Sequence, residues 1–476
     1  MEPFSNASAS GYSMVVDSTH IHIVGPTYPY IDSNNIALLG YIATYAHNGN
    51  FQYFDLVGDT LRAYEAEKLL IDSNGNKYII GDFRFDTAGV KTNQGLFVQK
   101  RDFYNAILWT VEYQDSLANI DYLVDDAVLF GSDKLAIIGG FVKQPDSVSS
   151  YDVDVLYIII DTSGNLLTTK NLGTQAIQEG SYSVTMYDDT TVAIGARKLG
   201  NGFDKNWVIK MDYQGNVLDE YISASNRRIG VWDIVKTQDG GLACASAATD
   251  GDFISPENKS YVEKLDSNLN QVWEYTIDWR FSSNNLATSI DETPNGDIVV
   301  GGNVVDFLVD PDTAGFYCFL QKLSCNGDSI WYQPQYFYSN INSKEFHNIY
   351  DLQIYNDRIY FVGDAKDFNN PIPPGQSMWL VSTDSNGIVS SLNERISVNE
   401  GIMVYPNPAN AIVNIHLSTD KEHSQIKIYD MQGKLQHEQV LAMHKTQINI
   451  TSWPSGIYQY RIQNENGLVR GKFLKH

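Results

Sequence analysis

Cysteine is scarce in this chain: Cys244, Cys318 and Cys325 are its only three in 476 residues. An odd, sparse set builds no disulfide framework. Cys318 and Cys325 fall on one expected strand and its turn, about 20 Å apart when extended, too far to bridge. Buried free thiols are the expectation, with a Cys244–Cys318 bridge between adjacent repeats as the alternative. Long apolar runs are missing too. No stretch of about 18 residues is apolar enough to span a membrane as a helix. Basic charge is short: 33 Lys+Arg face 57 Asp+Glu, a net charge of −24. From Ile402 onward the balance reverses, with 8 basic and 5 acidic residues, so the acidity belongs to the preceding body. Such a body repels phosphate backbones and argues against nucleic acid as a partner.

Recognisable catalytic motifs are also absent. There is no Gly-x-Ser-x-Gly elbow, P-loop or dinucleotide fingerprint. His437-Glu438-Gln439-Val440-Leu441 fails as a zinc motif because Leu441 stands where the second histidine belongs. His20 and His22 share one side of a strand, but no third ligand is legible and strand packing is expected. Met1–Ser10 has neither a basic n-region nor an apolar h-region. The expectation is a leader already removed, or a start assigned too late. What is present is a globular composition, 43% hydrophobic and 12% aromatic, in a chain long enough for one large domain and one small.

An apolar run ending in glycine recurs along the body: Ile21–Gly25, Tyr78–Gly81, Leu135–Gly139, Thr191–Gly195, Ile298–Gly301 and Ile359–Gly363. A degenerate copy, Gly241–Ala245, falls between the fourth and fifth. The spacing is about 56 residues, which fits four strands and one extended loop. Roughly 20 residues after each glycine comes a strand, then Asp-x-x-Gly-Asn or a relative, as at Asp161–Asn165 and Asp212–Asn216. Trp273 and Trp331 close two of these units. The pattern resembles the repeats of bacterial β-propellers related to the quinoprotein and Asp-box families. Turn chemistry and tryptophans packed between blades explain it without invoking activity. The expectation is an all-β chain: a seven-bladed propeller over 11–393, a linker over 394–401 and a small β-sandwich over 402–476.

The C-terminal part reads as strands by itself. Ile412–Leu417 and Ile426–Tyr429 alternate with period two, and Asp430-Met431-Gln432-Gly433 turns the chain. Tyr405-Pro406-Asn407-Pro408 cannot be helical. Together with Gly433, Gly456, Tyr458 and the basic last strand carrying Lys472 and Lys475, this resembles the type A C-terminal sorting domain of the Bacteroidota type IX secretion system. The resemblance covers only these 75 residues and carries no catalytic residues. It implies a secreted or outer-surface protein, exported through the periplasm, whose tail engages the secretion machinery.

Function must then lie in the body. Turns joining strands one to two and three to four are short and share one face. The connections between strands two and three, at 82–94, 141–154, 196–206, 247–259, 303–315 and 364–376, are expected to be long loops on the opposite face, where binding usually sits. They repeat an aromatic–acid pairing, making Phe83, Phe85, Asp86, Phe253, Phe307 and Phe368 candidate ligand-binding residues. A more ordinary reading has each Phe capping its own blade. Glu67, Asp126, Asp233 and Asp351 fall on first strands and would line a channel, where they would serve as acid/base catalysts if the protein is an enzyme. Asp310 and Asp312 begin a weak Ca²⁺ loop that Ala314 interrupts; no other cofactor is expected. The leading expectation is a monomeric, non-enzymatic module binding a glycan, peptide or envelope protein. The alternative is a secreted polysaccharide hydrolase or lyase using the channel carboxylates.

Overall fold

The computed structural model describes residues 7–32, 35–36, 38–59, 62–85, 94–114, 120–143, 152–174, 178–200, 203–224, 228–250, 257–277, 283–306, 315–335, 345–367 and 376–388 of the body. In the C-terminal part it describes 402–405, 409, 411–417, 425–430, 434–441, 445–464 and 467–475. Every regular element among them is a strand. Two compact units divide the chain, Met1–Leu392 and Asn393–His476.

The first unit contains seven antiparallel sheets in chain order. Sheets two to six are four-stranded meanders; sheet two, for example, runs Arg62–Ile71, Lys77–Phe85, Gly95–Arg101, Ile107–Tyr113. Sheet seven shows three strands, Glu345–Tyr355, Arg358–Asp367 and Gln376–Thr383. Sheet one begins before Gly11, because Ala7–Ala9 pairs with His20–Asp32 beside Ser13–Val16.

The apolar runs have a direct cause. Both faces of each sheet are covered, so alternate residues of a second strand serve different neighbours. Ile79 packs with Val24, Ile42 and Val57 of sheet one, while Tyr78 and Ile80 pack with Val124, Leu135 and Ile137 of sheet three. Seven apolar clusters arise in this way, one between each consecutive pair of sheets. The last joins Tyr360, Val362 and Leu380 of sheet seven to Met14, Ile21 and Ile23 of sheet one. The Gly11 amide also donates to the Gly363 carbonyl (3.3 Å).

The Asp-x-x-Gly-Asn elements are turns. Asp161 accepts from the Ser163 and Asn165 amides and the Asn165 side chain (2.8–2.9 Å), and Asp212 and Asp266 repeat this. Trp273 packs under the Gly327 turn of the following sheet and donates to the Cys325 carbonyl (3.0 Å). All three cysteines are free, Cys244 and Cys318 buried and Cys325 exposed.

Three expected long loops are shorter than the sequence suggests. The 196–206 segment continues the ladder to Gly200↔Phe203, that after Ala247 to Asp250↔Glu257, and that after Asn303 to Asp306↔Gly315. Backbone pairing carries the strands outward through residues whose polarity had marked them as loop.

The second unit packs two sheets. One comprises Ile402–Tyr405, Ile412–Leu417 and Lys445–Asn449; the other Leu435–Val440, Gln425–Asp430, Gly456–Asn464 and Gly467–Lys475. Val413, Ile415, Ile426, Ile428, Ile448, Tyr458 and Phe473 form its core.

Candidate functional site

The first strand of each sheet carries one irregularity at the same place. In sheets two to seven its ladder with the second strand slips by one residue, and the extra residues are Glu67, Asp125, Tyr182, Trp232, Thr288 and Tyr350. In sheet one, Tyr12 occupies the break between Ala7–Ala9 and Ser13–Val16. A bulge turns its extra side chain out of the alternation and is common beside functional sites. In sheets two, three, six and seven a glycine, Gly81, Gly139, Gly302 or Gly363, pairs with the residue before the bulge. A Cβ on Gly81 would lie 1.9 Å from the Glu65 carbonyl, and one on Gly139 1.7 Å from that of Leu123, so these strands cross their bulges at glycine, whereas Ala196 and Ser246 hold the same place in sheets four and five.

These residues meet one another across sheet boundaries. The rings of Tyr12 and Tyr350 lie 5.0 Å apart edge to face, and those of Tyr182 and Trp232 stack at 4.9 Å. The Ser181 hydroxyl donates to Asp125 Oδ2 (2.6 Å). Asp125 and Tyr350 are exposed and the others half-buried. Glu67 has no hydrogen-bond or ion-pair partner among the described residues, and the Trp232 indole N–H is likewise unpartnered. From sheet one to sheet seven the order is Tyr12, Glu67, Asp125, Tyr182, Trp232, Thr288, Tyr350: two adjacent carboxyls flanked by four aromatic rings.

One residue further along each first strand lies a second belt: Ser13, Lys68, Asp126, Ser183, Asp233, Ser289, Asp351. It staples neighbouring sheets. Asp126 accepts from the Val184 amide (2.8 Å), Asp233 from Ile290 (2.8 Å) and Asp351 from Met14 (2.7 Å), while the Leu69 amide donates to Ser13 Oγ (3.3 Å). These amides belong to sheet edges and would otherwise lack partners. Lys68 Nζ lies 2.7 Å from Asp126 Oδ1. Ser183 Oγ sits 3.0 Å from Asp126 Oδ2 and 2.7 Å from Asp233 Oδ1. A single hydroxyl proton cannot serve both fully, and burial raises Asp233 to about 6, which lets Asp233 supply the second proton in mildly acidic water. Lys68 senses Asp126, Asp351 and Asp233 and is held charged by them.

The upper level has a different electrostatic character. Burial, then the charges of Glu65 and Asp125, push the Glu67 carboxyl up to about 8. Burial raises Asp125 to about 7 against the Ser181 hydrogen bond. Asp82, whose Oδ1 accepts from the Val124 amide (2.7 Å), is raised by burial and by Glu67. Near neutral pH this mouth therefore carries protons and presents both donors and acceptors.

Of the four carboxylates singled out from the sequence, only Glu67 belongs to this upper level. Asp126, Asp233 and Asp351 are the inter-sheet staples. Asp125, one residue away, was missed, as were Tyr12, Tyr182, Trp232 and Tyr350. The overlooked signal is the aromatic or acidic residue directly before the Ser/Asp/Lys position of most first strands. Phe83 does not offer a ring to solvent: it is 3% exposed, packs with Tyr64 and Phe97, and lies beneath Arg62 (5.4 Å). Asp86, Phe253, Phe307, Phe368, Asp310 and Asp312 lie outside the described residues, as does the side chain of Phe85.

In the second unit Tyr458 is core, stacked on Phe473 (5.7 Å) with its hydroxyl donating to the Pro454 carbonyl (2.8 Å). Gly456 pairs with Lys475 at the end of the last hairpin and Gln459 with Lys472. The Tyr405 backbone pairs with Asn414, while Pro406, Asn407, Pro408 and Gly433 lie outside the described residues.

Residues 403–476 match the family model of the secretion system C-terminal sorting domain. That tail directs export by the type IX route and engages its machinery, so the protein is secreted or displayed at the cell surface; no helix among the described residues is long and apolar enough to cross a membrane. No curated protein matches the chain. Among solved structures, a phage phi92 endosialidase is similar at 11% identity over 98% of this chain and 87% of its own, with TM-score 0.43. The β-propeller domain of the trilobed protease from Pyrococcus furiosus is similar at 12% identity over 83% and 99%, with TM-score 0.44. The polysaccharide lyase Uly1 is similar at 9% identity over 79% and 90%, with TM-score 0.43. Likeness this distant says nothing about chemistry.

Proposed function

We propose that the protein is an exported, seven-bladed, ring-closed propeller that binds a neutral, hydroxyl-rich glycan at the mouth of its central channel. Closure is supported by the apolar cluster that joins the seventh sheet to the first as others join every other pair, and by the Met14 amide donated across that boundary to Asp351. The ligand class rests on one observation: six successive bulges, completed by Tyr12, present four aromatic rings and two partly protonated carboxyls at one level. Ring faces stack on sugar C–H surfaces, and carboxyls holding protons satisfy hydroxyls as donor or acceptor. The bulged residues lie one position before the stapling belt on each first strand, hence on its side toward the strand-two-to-three connections. An anionic polymer meets an acidic body and is disfavoured.

The test is a glycan array probed with the full chain, followed by titration of the hits and product analysis. Binding without product release supports the module. A second reading, hydrolysis or lysis of the glycan, is favoured by Glu67 alone: an unpartnered carboxyl protonated near neutrality can act as a general acid. Release of oligosaccharides that stops on Glu67→Gln would replace the binding reading with that one.

A further inference from the structure

On the opposite face, the hairpin joining the first two strands of sheet one gathers two histidines and an aspartate. Asp17, His20 and His22 each offer one ligand atom, and the three atoms lie within 4.8 Å of one another. We propose that they form a binding site for a divalent transition-metal ion, Zn²⁺ foremost. Tyr12 and Asp17 are joined by an extended strand, placing this site about 16 Å from the channel mouth.

The strand alternation puts His20 and His22 on one side, and the turn returns Asp17 to them: its amide donates to the His20 carbonyl (3.0 Å). Asp17 Oδ2 is 3.2 Å from His22 Nε2, close to the roughly 3.3 Å between ligand atoms in a tetrahedral zinc site. The remaining hydrogen bonds fit the roles of supporting groups. Thr19 Oγ1 donates to Asp17 Oδ1 (2.8 Å) and so accepts from His20 Nδ1 (2.8 Å), leaving His20 Nε2 with a free lone pair. His22 Nδ1 is held by Thr44 Oγ1 (2.9 Å). Fixing the distal nitrogen in this way is what orients a ligating imidazole. His47 Nε2 anchors the Asp17 carbonyl (2.9 Å) and steadies the turn. His20 is half-buried, its ligand atom within 4.8 Å of the other two.

The Lys77 ammonium acts electrostatically on His22. Lys77 also opposes any cation, which weakens purely ionic attraction. The site accordingly prefers ions that bond strongly to imidazole nitrogen over Ca²⁺ or Mg²⁺. Two histidines and one carboxylate leave coordination positions open for water or a further ligand.

Metal-free full-length protein titrated with Co²⁺ and followed by visible absorption, then by Zn²⁺ competition, tests this. One equivalent with tetrahedral Co²⁺ bands, displaced by Zn²⁺, is expected. His20→Ala and Asp17→Asn should each weaken binding at least about tenfold. Both touch half-buried positions, so folding is preserved, and Thr44→Val should weaken binding without removing a ligand. His437→Ala in the second unit should change nothing. Weak binding beyond about 10 μM, multiple equivalents, or full affinity retained in His20→Ala and Asp17→Asn would reduce the cluster to a hairpin staple.

Discussion

Lys68 is the only cation in the stapling belt, and replacing it tests how that belt is held. Its Nζ lies 2.7 Å from Asp126 Oδ1, with the two side chains 27% and 9% exposed. Lys68→Met keeps the aliphatic stem but leaves Asp126 without its countercharge and near Asp233 and Asp351. Breaking a buried pair by removing one partner costs roughly 3–5 kcal/mol. Some water reaches the ammonium, so we expect about 3 kcal/mol at pH 7.5 in urea unfolding of the full chain. Sign follows from linkage. Lys68 holds down the raised folded-state pKa values of Asp233 and Asp351; without it they rise further, and an acid raised on folding contributes stability at low pH that is lost as pH climbs through its folded value. The gap between variant and parent should therefore narrow from pH 7.5 to pH 4.5. Lys68→Met combined with Asp126→Asn should recover most of the loss, because the carboxamide oxygen of the second substitution still accepts from the Val184 amide. A gap below about 1 kcal/mol, or one that widens on acidification, would refute the reasoning.

Glu67→Gln removes a carboxyl raised from 4.5 to about 8. The parent should lose stability between those pH values and the variant should not, with a divergence of about 2 kcal/mol. That is less than the roughly 5 implied by the shift alone, because water reaches the carboxyl. Gly139→Ala places a methyl 1.7 Å from the Leu123 carbonyl; thermal unfolding should show a loss of about 3 kcal/mol, or no soluble protein, since the bulge cannot relax without losing its ladder. With every cysteine free, the melting temperature should be the same with and without reductant, and a drop in reductant would reveal a bridge. Deleting 403–476 should leave the body inside the producing cell envelope, as fractionation and blotting would show.

The repeat was legible because two-sided burial writes itself as runs such as Tyr78-Ile79-Ile80 and because Asx turns demand Asp, Asn and Gly. Tyr458 and the last hairpin were legible for the same local reasons. The site was half-legible. Glu67 stood out as an acid on a first strand, but Asp126, Asp233 and Asp351 looked equivalent to it, since alternation alone assigns them the same face. A bulge shifts that alternation by one, and its traces in sequence are the aromatic or acidic residue before the belt position and, in four sheets, a glycine on the partner strand. Asp17 escaped notice as a companion of His20 and His22 because it belongs to the turn and reaches them only when the hairpin closes. Phe83 misled because a ring beside acids at a strand end resembles a platform, whereas Tyr64, Phe97 and Arg62 enclose it.

Glycan binding by the bulged residues is decided by a glycan array comparing four forms of the full chain. Parent protein and Tyr104→Ala, which removes an 83% exposed ring far from the mouth, should bind the same sugars. Trp232→Ala and Tyr350→Ala should lose them, each by about tenfold or more in follow-up titration, in keeping with the roughly 1–2 kcal/mol of a stacked ring. Equal binding by all four forms would place recognition elsewhere and contradict the account.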